Sequence, residues 1–258
     1  MPEQSGFTLW QTVTLPDRSS IAQGATITGG DLYVTQDTPY GSGQHLVINR
    51  LPADGSTPEV MRVAEGGHGD LSLDVTDGHV SFVDLDGRLW RIPFQPGKTV
   101  KLIGSPVDRG RLPIYGHDGV QLIRTQERGD RYIYWTPNRH RLFSTLNYRW
   151  IQGTAAHQGI LYTLRGTPRT DSGWLYHDAR VLPYVERRQA LDSPRGLILE
   201  PWRVDQLGWE SGAPIGGKAE PECEFVAVLD GQPHLVVGIA TGHHYNASYS
   251  LMLYRKEL

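Results

Sequence analysis

Gln23-Gly24-Ala25-Thr26-Ile27-Thr28, then Gly29-Gly30, then Asp31-Leu32-Tyr33-Val34-Thr35-Gln36: two runs of strand-forming residues flank a two-residue glycine turn. β-branched and aromatic side chains suit a pleated, half-buried surface, and paired glycines supply the positive φ that a tight hairpin needs. Strand-like runs at His45 to Leu51 and Glu59 to Val63 follow, which makes four strands in about forty residues.

The same unit returns along the chain. A second copy opens at Gly67-His68-Gly69, turns at Asp77-Gly78, and continues through His79 to Asp84, Arg88 to Phe94 and Thr99 to Ile103. A third opens near Gly116-His117-Asp118-Gly119, with strands at Val120 to Thr125, Tyr132 to Trp135 and Arg141 to Leu146. A fourth starts at Gln152-Gly153, turns at Gln158-Gly159, and adds Ile160 to Arg165 and Gly173 to His177. The stretch 178–218 reads as an irregular insertion. The fifth copy, Glu222 to Leu229, Pro233 to Ile239 and Tyr249 to Arg255, has three strands, and Phe7 to Leu15 at the other end of the chain supplies the fourth. No window sustains a helical apolar period. Repeats of this length, each a four-stranded antiparallel unit with one shared between the termini, predict an all-β chain: one five-bladed β-propeller over 1–258, closed by pairing of the N- and C-terminal strands.

Composition sets outer limits. The 258 residues include 30 glycines, 17 prolines, seven Trp, 12 Tyr and five Phe, with 38% hydrophobic and 21% charged residues, enough apolar area for a packed core. A net charge of −3 and no run of Lys or Arg argue against nucleic-acid partners. The single cysteine, Cys223, excludes an intramolecular disulfide framework and any CxxC metal site. No segment approaches the ~20 apolar residues of a membrane span, and the start lacks a secretory pattern. The expectation is a soluble protein with no membrane partner, carried out of a cell by lysis or in a virion. Arginine outnumbers lysine 21 to 4, a bias typical of GC-rich genomes.

Each copy opens on a pair: Gln23-Gly24, His68-Gly69, His117-Asp118, Gln152-Gly153 and Glu222-Cys223. In a propeller these ends meet around the axis, where Gln23, His68, His117, Gln152 and Glu222 could bind a ligand. The alternative is that the small residue lets blades pack and the polar one bonds a neighbouring loop. His243-His244 would point to opposite faces of a strand and call for no metal. HExxH, GxSxG and P-loop signatures are missing, so no catalytic residue, metal or cofactor is assigned. Asp70, Asp84, Asp86 and Glu222 could pair for glycoside hydrolysis only if the fold brought them together. Flat aromatic faces suit sugar rings, and Trp202 and Trp209, in the irregular stretch, are the tryptophans assigned to ligand contact.

These residues resemble the β-propeller shared by receptor-binding proteins of phages that infect Gram-positive bacteria, a teichoic acid biosynthesis protein C, and helveticin-like bacteriocins. The resemblance rests on Gln23-Gly24 with Leu32-Tyr33-Val34-Thr35-Gln36, on Gly67-His68-Gly69, and on Glu220-Pro221-Glu222. It departs from the pattern at Cys223, where glycine is expected, and in lacking the helical stem that such phage proteins usually add. It implies a non-enzymatic protein of the virion tail tip, present in multiple copies or as a homo-oligomer, that contacts other phage tail proteins and binds a host cell-wall glycopolymer. A bacteriocin-like secreted toxin and a cell-wall polysaccharide hydrolase are the alternatives.

Overall fold

The computed structural model describes residues 6–16, 20–37, 45–64, 73–84, 88–109, 111–116, 119–127, 131–135, 138, 141–146, 151–166, 169–170, 173–174, 184–190, 199–206, 218–242 and 250–258. Among them all regular structure is β, in five sheets, none closed into a barrel. No helix there is long and apolar enough to cross a membrane.

In chain order, β1 (Thr8–Thr14) belongs to the last sheet. The first sheet is a meander of β2 (Ile21–Thr28), β3 (Asp31–Asp37), β4 (His45–Leu51) and β5 (Glu59–Ala64). The second contains β6 (Asp74–Thr76), β7 (His79–Val83) and β8 (Arg88–Pro93). The turn Asp77-Gly78 has φ of 52° and 70°, the two positive values of a type I′ hairpin, and Asp230-Gly231 repeats them at 53° and 78°.

The chain then departs from the expected order. The run at Thr99 to Ile103 is not the fourth strand of the second sheet: β9 (Thr99–Lys101) lies parallel to β5 and extends the first sheet. A turn at Gly97, whose amide donates to Val60 O, redirects the chain there and covers an otherwise open sheet edge. The two-residue β10 (Asp108–Arg109) completes the second sheet beside β8.

The third sheet, β11 (Arg111–Gly116), β12 (Gly119–Glu127), β13 (Arg131–Trp135) and β14 (Arg141–Leu146), begins one strand earlier than its repeat predicts. Pro113 disguises β11 in the sequence, yet β11 is an edge strand, where proline is tolerated. In the fourth sheet β15 (Ile151–His157) and β16 (Ile160–Arg165) are followed by a small hairpin, β17 (Arg169–Thr170) and β18 (Gly173–Trp174), that leaves to join the last sheet. The stretch read as an irregular insertion holds the missing strands β19 (Tyr184–Ala190) and β20 (Leu199–Gln206). Charge concealed β19: Glu186 is buried, but it accepts from Arg165 Nε at 2.8 Å, so the ion pair is internal to the sheet.

The fifth sheet unites the chain ends. β21 (Lys218–Leu229), β22 (Gln232–Gly242) and β23 (Ser250–Glu257) are continued by β1, from Thr8 opposite Arg255 to Thr14 opposite Ser250. This is the pairing of N- and C-terminal strands that the sequence predicts.

The apolar core is distributed as seams between sheets. Tyr33, Ile48 and Met61 of the first sheet pack with Val75, Val80 and Phe82 of the second. Ala155, Tyr162 and Val185 of the fourth meet Val226, Leu235 and Val237 of the fifth. Val13, Phe225, Val236 and Leu251 of the fifth meet Ala22, Ala25 and Val34 of the first. Opening strands meet in the same way, β2 against β6 and β21, β21 against β15, and β15 against β11, whereas β11 meets the second sheet at its third strand, β8.

Candidate ligand-binding site

Three of the polar residues singled out in the sequence occupy one local geometry. In β2, Ala22 pairs with Gln36 and Gly24 with Thr35, which leaves Gln23 as an extra residue. In β15, Gln152 is skipped between Ile151 and Gly153. In β21, Glu222 is skipped between Pro221 and Cys223. Each is a β-bulge, which bends the strand and redirects its side chain. Gln23 and Glu222 are only 6% and 5% exposed, while half-buried Gln152 donates from Nε2 to Glu220 Oε1 at 3.3 Å, across the seam between the fourth and fifth sheets.

The residues around each bulge show why those types are present. Gly24 N donates to Thr35 Oγ1 at 2.8 Å, and the same hydroxyl donates to Gly24 O at 3.2 Å. Gln36 Nε2 reaches Ser20 O at 2.8 Å, while its Oε1 accepts from Asn49 Nδ2 at 2.7 Å. Thr35 thus serves the Gly24 backbone at the bulge, and Gln36 the carbonyl of Ser20 just ahead of β2. Gly153 answers a different need. A Cβ there would stand 2.6 Å from Glu224 Cβ and 2.7 Å from Glu224 N, so β15 can approach β21 only without a side chain at 153. Through that gap Glu224 Oε2 accepts from Leu164 N at 2.8 Å. Cys223, the departure from glycine, is accommodated on the opposite strand: its partner is Gly238, where any Cβ would overlap Cys223 Sγ.

Just beyond the bulges lies a cavity of about 700 Å³. Residues 24–30, 73–77 and 223–229 line it, together with Trp10, Gly116 and Thr154, so strands from all five sheets contribute. Its polar groups are the carboxyls of Asp74, Asp77 and Glu224 and the hydroxyls of Thr26, Thr28, Thr76 and Thr154. Among the described lining residues there is no Lys, Arg or His. Burial pushes the Glu224 carboxyl well above the usual glutamate range, opposed in part by the Leu164 amide. Burial also raises Asp74, against the Thr76 hydroxyl that donates to it at 2.9 Å. Burial, and next the neighbouring acidic residues Glu222 and Glu224, raise the Cys223 thiol well above the usual cysteine range.

His68, His117 and Trp209 lie outside the described residues, as do Asp70, Asp86, His243 and His244. In the sequence His117 follows the last residue of β11, whereas Gln23, Gln152 and Glu222 belong to the earlier parts of their strands. Trp202 is on β20, opposite Arg187. Asp84 is a structural acceptor: it takes the Arg88 amide at 2.9 Å, Arg88 Nε at 2.7 Å and the buried Trp90 indole N–H at 2.7 Å. The described residues contain no group of three His, Cys, Asp or Glu able to hold a metal ion.

The sequence reading missed Trp10, Asp74, Thr154 and Glu224 as cavity residues. One signal was available: Glu224 follows Glu222-Cys223 within an apolar strand, a place for a carboxyl only if something buried requires it.

No family model matches the chain, and no curated protein sequence matches it. Solved structures do. The tail fibre of Staphylococcus aureus phage P68 superposes with a TM-score of 0.62 at 15% identity, over 97% of this chain and 52% of that one. The two share an all-β fold of the kind found in a phage tail fibre, and this chain spans about half the length of that protein. A thermostable family-43 glycoside hydrolase matches over 92% of this chain and 89% of its own, at 13% identity and a TM-score of 0.42, too low to carry an argument.

Proposed function

We propose that the chain is a five-bladed β-propeller acting, without enzymatic activity, as a receptor-binding or tail-tip accessory protein of a phage, where it recognises a host cell-wall glycopolymer. The observation that carries this reading is the fold likeness to a phage tail fibre along 97% of the chain. The propeller is supported by the seams between successive sheets, by the contacts among opening strands, and by the joint sheet of the two termini. In this reading Gln23, His68, His117, Gln152 and Glu222 are polar contacts to the ligand, Trp202 and Trp209 are further contacts, and other tail proteins hold several copies on one particle. Multiple copies convert weak single-site binding into firm attachment.

Two measurements test this. Labelled protein is incubated with purified host cell walls, before and after chemical removal of their glycopolymers, and virions are analysed for the chain by mass spectrometry. Retention that is lost on stripping, with the chain present in virions, is expected; no retention together with no virion copy refutes the reading. Killing of related strains by pure protein would instead identify a toxin, and release of reducing sugar from walls a hydrolase.

A further inference from the structure

We propose that the cavity bounded by the five sheets is itself a binding site and that it takes an uncharged, hydroxyl-rich sugar residue rather than a phosphate. This rests on the glycopolymer reading and deepens it by stating which part of such a polymer enters the protein.

Size permits it, since about 700 Å³ lies within the range of small-molecule sites. Charge selects the class. A phosphate would be repelled by the Asp74 carboxylate, none of the described lining residues carries a positive charge, and Arg91, outside the lining, is engaged with exposed Asp77 at 4.0 Å and with Thr76 O at 3.4 Å. The inner wall calls for a partner that both donates and accepts hydrogen bonds. Thr154 Oγ1 and Glu224 Oε1 are fully buried atoms with no hydrogen-bond partner, on residues that are each 5% exposed, line the cavity and sit on neighbouring strands β15 and β21. Buried polar atoms are normally satisfied, so two unsatisfied ones on residues of one cavity wall are the groups that a guest hydroxyl would complete. Burial raises the Glu224 carboxyl well above the usual glutamate range, which disfavours a charge on it beside the cavity. Sugar rings also present an apolar face. Trp10, skipped in the β1 register between Leu9 and Gln11 and half-buried, brings an aromatic side chain to the lining.

The test is ligand-observed NMR on the full chain with the methyl glycosides of glucose, galactose and N-acetylglucosamine, alongside glucosamine and glycerol 3-phosphate. At least one neutral glycoside is expected to bind and glycerol 3-phosphate to give no signal. Thr154→Val and Trp10→Ala should each weaken that binding by about tenfold, the scale of one lost polar or aromatic contact in a buried site. Thr154→Ser and Trp10→Phe should keep most of it, which separates a lost contact from a misfolded chain. Binding by none of the neutral glycosides, undiminished binding by both Thr154→Val and Trp10→Ala, or a preference for glycerol 3-phosphate or glucosamine would overturn the proposal. Cell-wall retention that persists without glycoside binding would remove the cavity proposal alone; loss of wall retention would remove the glycopolymer reading itself.

Discussion

Replacing Gly153 by alanine adds one methyl group where β15 crosses close to β21. The added Cβ would stand 2.6 Å from Glu224 Cβ, 2.7 Å from Glu224 N and 3.0 Å from Cys223 C, and two of those three atoms are backbone that cannot rotate aside. The strands must separate, at the ~1–3 kcal/mol typical of an overpacked core. Separation also stretches the bond from Leu164 N to Glu224 Oε2, now 2.8 Å, worth about 1 kcal/mol. The sum is roughly 3 kcal/mol, or a fall in Tm of about 6–12 °C for a chain of this size. Thermal melting followed by near-ultraviolet circular dichroism measures it. Gly29→Ala is the control: nothing lies within 4 Å of a Cβ there, so only its φ of +62° is penalised, at about 1 kcal/mol. A Gly153→Ala protein that melts within 2 °C or so of the parent would refute the close-approach argument, because even the lower bound of overpacking together with the weakened bond, ~2 kcal/mol, amounts to about 4–8 °C.

Further outcomes follow from the same seams. Gly238→Ala should destabilise by ~1–3 kcal/mol through overlap with Cys223 Sγ, and adding Cys223→Gly should restore about 1 kcal/mol or more; additive melting data would show that the two positions are not coupled. Glu224 keeps its proton in the folded chain at pH values where the unfolded chain releases it. Stability should therefore fall as pH rises from the ordinary glutamate value of 4.5, by at most ~1.4 kcal/mol per pH unit, until the folded-state value is passed. Glu224→Gln should flatten that dependence in urea titrations at pH 5 and pH 8, and parallel profiles for the two proteins would contradict it. Asp84→Ala strands the buried Trp90 indole N–H and removes both Arg88 bonds, for an expected loss of ~2–3 kcal/mol by urea denaturation; a loss below ~0.5 kcal/mol would show that water replaces the carboxylate.

The strands were legible in sequence where local chemistry acts alone. Alternating apolar runs marked β2 and β3, Asp-Gly pairs marked the turns at Asp77 and Asp230, and the strand character of Phe7 to Leu15 anticipated its pairing with the C-terminus. They were illegible where partners lie far away in the chain. β19 reads as a charged loop because Glu186 finds Arg165 only in the folded sheet, and β9 joins the first sheet because the outer edge of β5 was open.

The candidate site divides in the same way. Gln23, Gln152 and Glu222 stand out in the sequence as polar residues that each precede a small one, since a bulge is a local event with local requirements. The cavity beyond them draws on Trp10, Asp74, Thr154 and Glu224, separated by up to about two hundred residues and brought together by no shared motif. Sequence alone determined an all-β chain of repeated hairpins whose ends meet, because strand period and turn chemistry are short-range properties. Only the tertiary structure decided which carboxyl is buried, which glycine must lack a side chain and which residues share one cavity, because burial and close approach depend on neighbouring sheets.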